Sequence, residues 1–347
     1  MLVGVFLLSV VVTVVGIWFL TRQPKEEVGS VAVVDARGGK QSEPVERREK
    51  KFKRNIICEV RDVEAPELTL NGLERRTLIL GSEYAEEGAV AEDNCDGFVN
   101  VATEGAVDVK VSGAYEVKYS AQDRAGNKNV KVREVRVVNP SAGERVVYLT
   151  FDDGPSEHTA RLLDVLKKYG VKVTFFVTGY GDDALIKREF EEGHTVALHT
   201  NTHNYAYVYS SDAAYFEDLY AVRDRVLKIT GVAPNLIRFP GGSSNTISAV
   251  YSKGIMSRLV TEVGARGFSY ADWNVSSGDA GGASTADEVF NNVVSRFGDG
   301  QYVVLQHDTK GFSVDAVERI IQYGMENGYA FLPMDANSYL AHHGVNN

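Results

Sequence analysis

The run Tyr148-Leu149-Thr150-Phe151-Asp152-Asp153-Gly154-Pro155 ends an apolar stretch on two adjacent carboxylates and turns at once on a Gly-Pro pair. Further along, His199-Thr200-Asn201-Thr202-His203 sets two imidazoles at i, i+4. One carboxylate and two histidines make a three-ligand face with open positions for water and substrate. The second carboxylate is left free to work as a base. Such a constellation belongs to a metal-dependent hydrolase. Each part also has a plainer reading: an acid pair can cap the next helix, and two histidines can sit on a surface. Their joint occurrence at neighbouring strand ends favours the ligand reading.

The elements that must hold these residues begin at Ala142, where apolar strands alternate with amphipathic helices. The pattern predicts strands at 146–151, 173–177, 194–199, 236–239, 267–272, 302–307 and 329–332, and helices at 160–169, 213–230, 252–265, 285–297 and 314–327. Seven strands with intervening helices predict a parallel α/β barrel. The polar residues Asp152-Asp153, His199, Arg238, Asp272 and His307 fall at the C-terminal ends of these strands, the rim on which such barrels build their sites.

Residues 58–139 have a different texture. Stretches such as Val107-Asp108-Val109-Lys110-Val111 and Tyr115-Glu116-Val117-Lys118-Tyr119 alternate with period 2, and Asn71-Gly72, Asp96-Gly97 and Gly126-Asn127 punctuate them. This predicts a small all-β sandwich. Cys58 and Cys95, the two cysteines of the chain, both fall here. They are too few for a structural zinc site; pairing in an oxidising compartment and two separate thiols both remain open.

Residues 22–57 lack hydrophobic periodicity and read as a charged linker. Residues 2–20 carry no charge and are long enough to cross a hydrocarbon core of about 30 Å, so residues 1–21 are expected to be a transmembrane anchor or a signal segment. Arg22 and Lys25 follow this span and no Lys or Arg precedes it, which by itself would place the C-terminus in the cytoplasm. Glu26 and Glu27 offset that signal. Of the net charge of −10, residues 1–57 contribute +4, residues 58–140 −6 and residues 141–347 −8. No basic face extends beyond the linker, which argues against nucleic acid as a partner.

Residues 146–308 resemble carbohydrate esterase family 4, the polysaccharide deacetylases. Five motifs carry the resemblance in order: Thr150-Phe151-Asp152-Asp153-Gly154-Pro155, His199-Thr200-Asn201-Thr202-His203, Arg238-Phe239-Pro240-Gly241-Gly242, Asp272-Trp273-Asn274 and Leu305-Gln306-His307-Asp308. The resemblance implies a deformed barrel of seven to eight strands, here a catalytic domain over 142–340. It implies a divalent metal on Asp153, His199 and His203, with Zn2+ expected and Co2+ or Ni2+ as substitutes. It makes Asp152 the base, Arg238 the residue that orients it, His307 the general acid and Asp272 the carboxylate that keeps His307 protonated. Trp273 and Leu305 match the pocket for the acetyl methyl. Many members place tyrosine after the proline of the third motif and use its backbone N–H as an oxyanion donor. Gly241 stands there in this chain, which keeps the N–H and loses the ring. Residues 58–139 resemble bacterial Ig-like surface modules through Ala65-Pro66, Gly88-Ala89, Asp93, Asp96-Gly97, Gly113-Ala114-Tyr115 and Asp123-Arg124-Ala125-Gly126-Asn127, which implies a spacer.

The remaining histidines read plainly. His158 belongs to the rim surface, His194 to a strand start, and His342 and His343 to a solvated tail. Asp279 is balanced between support of the site and a turn. Gly241-Gly242-Ser243-Ser244 lacks the spacing of a nucleophile elbow, which disfavours a serine esterase. The expected protein is a single-pass, extracytoplasmic N-deacetylase acting on a cell-wall glycan, with peptidoglycan N-acetylglucosamine first. Chitin oligomers, poly-N-acetylglucosamine and acetylxylan are alternative substrates, and a catalytically silent wall-binding protein is the alternative of another class.

Overall fold

The computed structural model describes residues 62–140 and 143–347. The expected anchor, the whole of the expected linker and Cys58 lie outside these residues. Among the described residues no helix is long and apolar enough to cross a membrane. Cys95 is disulfide-bonded.

The first seven strands form two small sheets. β1 (Glu67–Leu70), β3 (Ala89–Asp93) and β4 (Gly97–Val99) pair antiparallel in one. The other runs β2 (Arg75–Ile79), β7 (Lys128–Val138), β6 (Gly113–Gln122), β5 (Val101–Glu104), with β2 parallel to β7. Alternation does what the sequence predicts: β6 buries Val117, Tyr119 and Ala121 and exposes the residues between them or leaves them half-buried. Leu68 and Ala91 from the facing sheet complete this core. The Asp96-Gly97 signal opens β4 at φ +72, a conformation that glycine adopts without steric cost.

The larger part is a curled parallel sheet in the order β12 (Ser269–Tyr270), β11 (Leu236–Ile237), β10 (Thr195–Leu198), β9 (Thr174–Val177), β8 (Val146–Asp152), β14 (Gln301–His307), β13 (Val275–Ser276). β15 (Ala330–Phe331) pairs with the start of β8. No ladder joins β12 to β13 among the described residues, so the barrel is deformed and open at one seam. β8 is buried at all seven positions, as a strand covered on both faces must be. Its odd-numbered residues Val147, Leu149 and Phe151 pack in the large cluster shared with the helices, and Val146 and Tyr148 pack in the barrel interior.

Among the described residues eight helices accompany the sheet: α1 (Thr159–Tyr169), α2 (Asp183–Glu191), α3 (Tyr205–Val208), α4 (Asp212–Thr230), α5 (Ser248–Tyr251), α6 (Ile255–Ala265), α7 (Ala286–Val294) and α8 (Gly311–Glu326). Their starts follow local chemistry. Asp182 and Ser211 accept from the first-turn amides of α2 and α4, and Thr285 with Glu288 closes a capping box on α7. The sequence does not announce α2. Its inward residues are Ile186 and Glu189, and a glutamate on the buried face hides the apolar period. Burial pushes the Glu189 carboxyl well above its usual range, with the Asp308 charge adding to it. A neutral acid is the form that such a position tolerates.

Candidate active site

The period of 2 along β8 carries Thr150 and Asp152 onto the interior face already held by Val146 and Tyr148. The β8–β14 ladder then places His307 opposite Asp152. His199 directly follows β10 and Arg238 directly follows β11, so four strands of one sheet, with β9 lying between β10 and β8, deliver four polar side chains to one rim.

Asp153, Thr200 and His203 hold left-handed backbone at φ +74, +63 and +49. Each such residue costs roughly 1–3 kcal/mol and persists only where its surroundings enforce it. Asp218 of α4 supplies part of that enforcement: its buried carboxylate accepts from the amides of Asn201 at 2.5 Å and Thr202 at 3.0 Å. The loop between the two histidines is thereby clamped, and no short-range sequence signal points to Asp218.

Asp153 Oδ1 lies 3.7 Å from His199 Nε2 and 3.6 Å from His203 Nε2. These gaps are too long for hydrogen bonds. They suit ligands sharing one ion through bonds of about 2.0–2.2 Å. Asp153 Oδ1 is also buried without a hydrogen-bond partner, an orphan that a cation would satisfy. His199 Nδ1 stands 2.8 Å from the Arg238 carbonyl, so Nδ1–H donates there and Nε2 presents its lone pair to the cluster. Burial lowers the pKa of His203, and the neighbouring His199 adds to this against the charges of Asp153 and Asp152. The neutral imidazole is the ligand form. The three residues expected to hold a metal therefore converge and fit one. The other acidic group with a sulfur, Asp62, Asp93 and Cys95, offers a disulfide sulfur rather than a thiolate.

Asp152 sits beside this face, its Oδ2 3.6 Å from His199 Nε2. Arg238 is fully buried and donates from Nη1 to Asp152 Oδ1 and to Thr150 Oγ1, both at 2.7 Å. Its Nε and Nη2 donate to the carbonyls of Ala271 and Asp272, both at 2.9 Å. The guanidinium thus has one charged partner and fixed dipoles around it, and it leaves Asp152 Oδ2 facing the ligand cluster.

His307 borders the same face, with Nε2 3.9 Å from Asp153 Oδ2. Its partner is Asp279, not Asp272. Asp279 Oδ1 lies 2.9 Å from His307 Nδ1, and Asp279 Oδ2 accepts from the His307 amide at 2.7 Å. Burial alone would lower the imidazole pKa. The Asp279 hydrogen bond and the charges of Asp152, Asp279 and Asp153 outweigh it and raise the value to about 9. His307 therefore stays protonated through neutral pH and loses its proton as the pH rises through that value. Asp272 is spent elsewhere: Oδ1 accepts from the Ser243 amide at 2.8 Å, and Oδ2 accepts from Ser243 Oγ at 2.5 Å and the His343 amide at 2.8 Å. It pins the loop after Pro240 to the C-terminal tail. The rim rule that singles out the other acids also covers Asp279, three residues beyond β13.

The expected substrate wall is partly in place. Gly241 has φ +76, and its amide donates to no acceptor among the described residues. A Cβ on Gly242 would approach Trp273 Cη2 to 3.0 Å, so the indole fills that space. Leu305 lies on the interior face two residues before His307. His194 is buried and accepts from the Val173 amide, and burial drives its pKa down to about 3. His158 is a half-exposed rim residue. Of the tail histidines, His342 is exposed as expected, stacking on Tyr270 at 4.1 Å, whereas His343 is half-buried and bonds the Trp273 carbonyl through Nε2 at 2.7 Å.

Comparison with known proteins agrees with this geometry. Residues 139–255 match the polysaccharide deacetylase family, and residues 68–137 match the Ig-like domain of bacterial surface proteins. A peptidoglycan-N-acetylglucosamine deacetylase of Bacillus cereus is 36% identical over 199 residues, 54% of this chain and 68% of that protein. The crystal structure of the catalytic domain of a peptidoglycan N-acetylglucosamine deacetylase from Eubacterium rectale is 51% identical with a TM-score of 0.59, covering 60% of this chain and 96% of that one. A polysaccharide deacetylase from Bacillus cereus is 34% identical with a TM-score of 0.51, covering 57% and 96%.

Two outcomes follow from the geometry. Titration calorimetry on chelator-stripped protein should find one divalent ion per chain, lost in Asp153→Ala and His203→Ala and kept in Asp152→Asn; a wild-type chain that takes up no ion would end the ligand assignment. In metal-free protein, NMR should find the His307 imidazole titrating near pH 9. Asp279→Asn should bring that titration down by about one unit or more, and Asp272→Asn should leave it in place. The reverse pattern would restore Asp272 as the partner.

Proposed function

The chain belongs to the polysaccharide deacetylase family, hydrolases of N-acetyl amide bonds, and from this membership and the site we propose that it releases acetate from N-acetylglucosamine units of peptidoglycan. The observation that carries the reading is the ordering of groups across one rim. Asp152 with its guanidinium lies against His199 of the Asp153–His199–His203 face, and His307 with its carboxylate lies against Asp153 of the same face. A divalent ion held on that face, expected to be zinc, would polarise the acetyl carbonyl and acidify a water.

The protein's own groups do the rest. Asp152 takes a proton from the water that attacks the carbonyl carbon, and Arg238 keeps its carboxylate aimed. His307, protonated at neutral pH, gives its proton to the amine nitrogen as the C–N bond breaks. The Gly241 amide is free to donate to the carbonyl oxygen as charge builds on it. Water and amide thereby become acetate and a free amine. The peptidoglycan assignment is supported by the relatives' activity and by the Ig-like module, a spacer suited to surface proteins. No member of the constellation is missing, which argues against a silent wall-binding protein.

We place the enzyme outside the cytoplasmic membrane. The disulfide at Cys95 supports an oxidising compartment, as does a wall substrate. A reporter that works only outside the cytoplasm, fused after Asn347, should be active; activity from a cytoplasm-only reporter would refute both the location and the wall substrate.

The decisive assay measures acetate release over peptidoglycan, chitin oligomers and acetylxylan. Peptidoglycan should give acetate and new glucosamine amines, chelation should stop the reaction, and zinc should restore it. Asp152→Asn should keep its metal and lose about 10²–10⁴-fold in turnover, the range of general acid–base catalysis. Loss of the metal in that variant would reverse the two aspartates. Acetate from acetylxylan alone would overturn the substrate.

A further inference from the structure

Gly241 takes the place of a side chain, and the space that side chain would enter is occupied. A Cβ on Gly241 would lie 2.6 Å from Tyr205 Oη and 3.4 Å from Tyr205 Cε1. The phenol therefore reaches in from α3, a different element, to the residue whose amide is free. Tyr205 stands two residues after His203, at the start of a short helix capped by Asn204, whose side chain accepts from the amides of Ala206 and Tyr207 at 3.0 and 3.3 Å.

The ring has little freedom. Its face or edge meets His203 at 5.4 Å and Tyr209 at 5.6 Å, both in T-shaped contact. Tyr209 is itself buried, and its hydroxyl donates to the Pro240 carbonyl at 2.7 Å. One tyrosine thus ties α3 to the residue before Gly241, and the other rests on it. The rest of Tyr205 is held, yet its hydroxyl meets no hydrogen-bond partner among the described residues. An ordered, half-buried phenol with an unused donor, beside a metal-face histidine and an unused amide, is arranged for a ligand oxygen rather than for packing alone.

On the deacetylase reading, we propose that the Tyr205 hydroxyl is a second hydrogen-bond donor, alongside the Gly241 amide, to the acetyl oxygen as the carbonyl becomes tetrahedral. The glycine is then part of the device: any side chain at 241 would displace the phenol. A phenol is protonated at neutral pH, so the donor is present without further tuning. The role is catalytic, since the hydroxyl touches the reacting oxygen, and it acts more strongly on the transition state than on the bound amide.

Tyr205→Phe tests this, because it keeps the ring contacts and removes only the donor. With the metal-loaded enzyme and an N-acetylglucosamine oligomer, kcat should fall about ten- to a hundredfold, somewhat less than the loss of a sole oxyanion donor. KM should stay within about threefold, while metal content and Tm match the wild type. Acetate, probed alone by calorimetry, should bind about three- to tenfold more weakly, since a neutral hydrogen bond contributes about 1 kcal/mol. Tyr207→Phe, on the exposed side of the same helix and bonded to Glu217, should change none of these. A Tyr205→Phe variant with wild-type kcat, or one altered only in KM, would overturn the proposal. Should the wild type release no acetate from any glycan, the deacetylase reading fails by itself. The acetate titration then decides for Tyr205, and an unchanged affinity rejects it.

Discussion

A guanidinium removed from water must find acceptors for its donors, and the site is arranged around how Arg238 finds them. Its hydrogen bonds reach Thr150 and Asp152 on β8 and the carbonyls of Ala271 and Asp272 just after β12. The Phe176 ring of β9 lies 4.1 Å away on its face. One side chain therefore spans the curled sheet from its middle to one edge. Breaking a buried pair by removing one partner typically costs about 3–5 kcal/mol, so the arrangement is cooperative: Asp152 cannot swing away without stranding Arg238. The same backbone contributes to the neighbouring ligand, because the Arg238 carbonyl fixes the His199 tautomer. Asp152, Arg238 and His199 are one hydrogen-bonded unit.

The parallel sheet supplies the other half of the geometry. Seven consecutive residue pairs join β8 to β14, ending at Asp152 and His307. A slip of one residue in this ladder would turn Thr150 and Asp152 away from the interior and break every contact of Arg238 on that strand. Strand burial fixes the register, and the register fixes the distance between His307 and Asp152. The left-handed turns at Asp153, Thr200 and His203 then bring the last side chains back over the rim. The clamp by Asp218 shows how a helix on the outer layer holds a loop on the functional face.

Much of this was legible in the chain, and the physical reasons for success and failure differ by residue. The barrel strands show as apolar runs, and the rim shows as the polar residues that end them. The Asp-Asp, His-x-x-x-His and Arg-x-Pro motifs are local in sequence, so their spacing carries over directly into geometry. Partnerships made across the sheet have no such spacing. Asp272 and Asp279 both lie just past strand ends, Asp272 after β12 at one edge of the sheet and Asp279 after β13 beside β14, and only the path of the chain through β13 decides which of them reaches His307. His343 looked solvated because nothing local shows that Asp272 needs donors from outside its own loop. Glu189 hid α2 because a buried carboxyl looks like a surface residue until its environment is known.

The two aspartates illustrate how burial alone does not define a role. Asp279 has two oxygens directed at one residue, the imidazole and the amide of His307, so its charge is felt on a proton that must move. Asp272 has its two oxygens directed at backbone and hydroxyl donors of Ser243 and His343, so its charge is absorbed by groups that do not titrate. The first carboxylate tunes chemistry and the second holds a loop in place. The held loop is the one that presents the Gly241 amide, and Trp273, the neighbour of Asp272, fills the space beside Gly242. The proton affinity of His307 and the position of the loop that carries Gly241 are therefore set by separate buried carboxylates. A change at either one is expected to show in a different observable: the proton affinity of His307 for Asp279, and the order of the loop after Pro240 for Asp272.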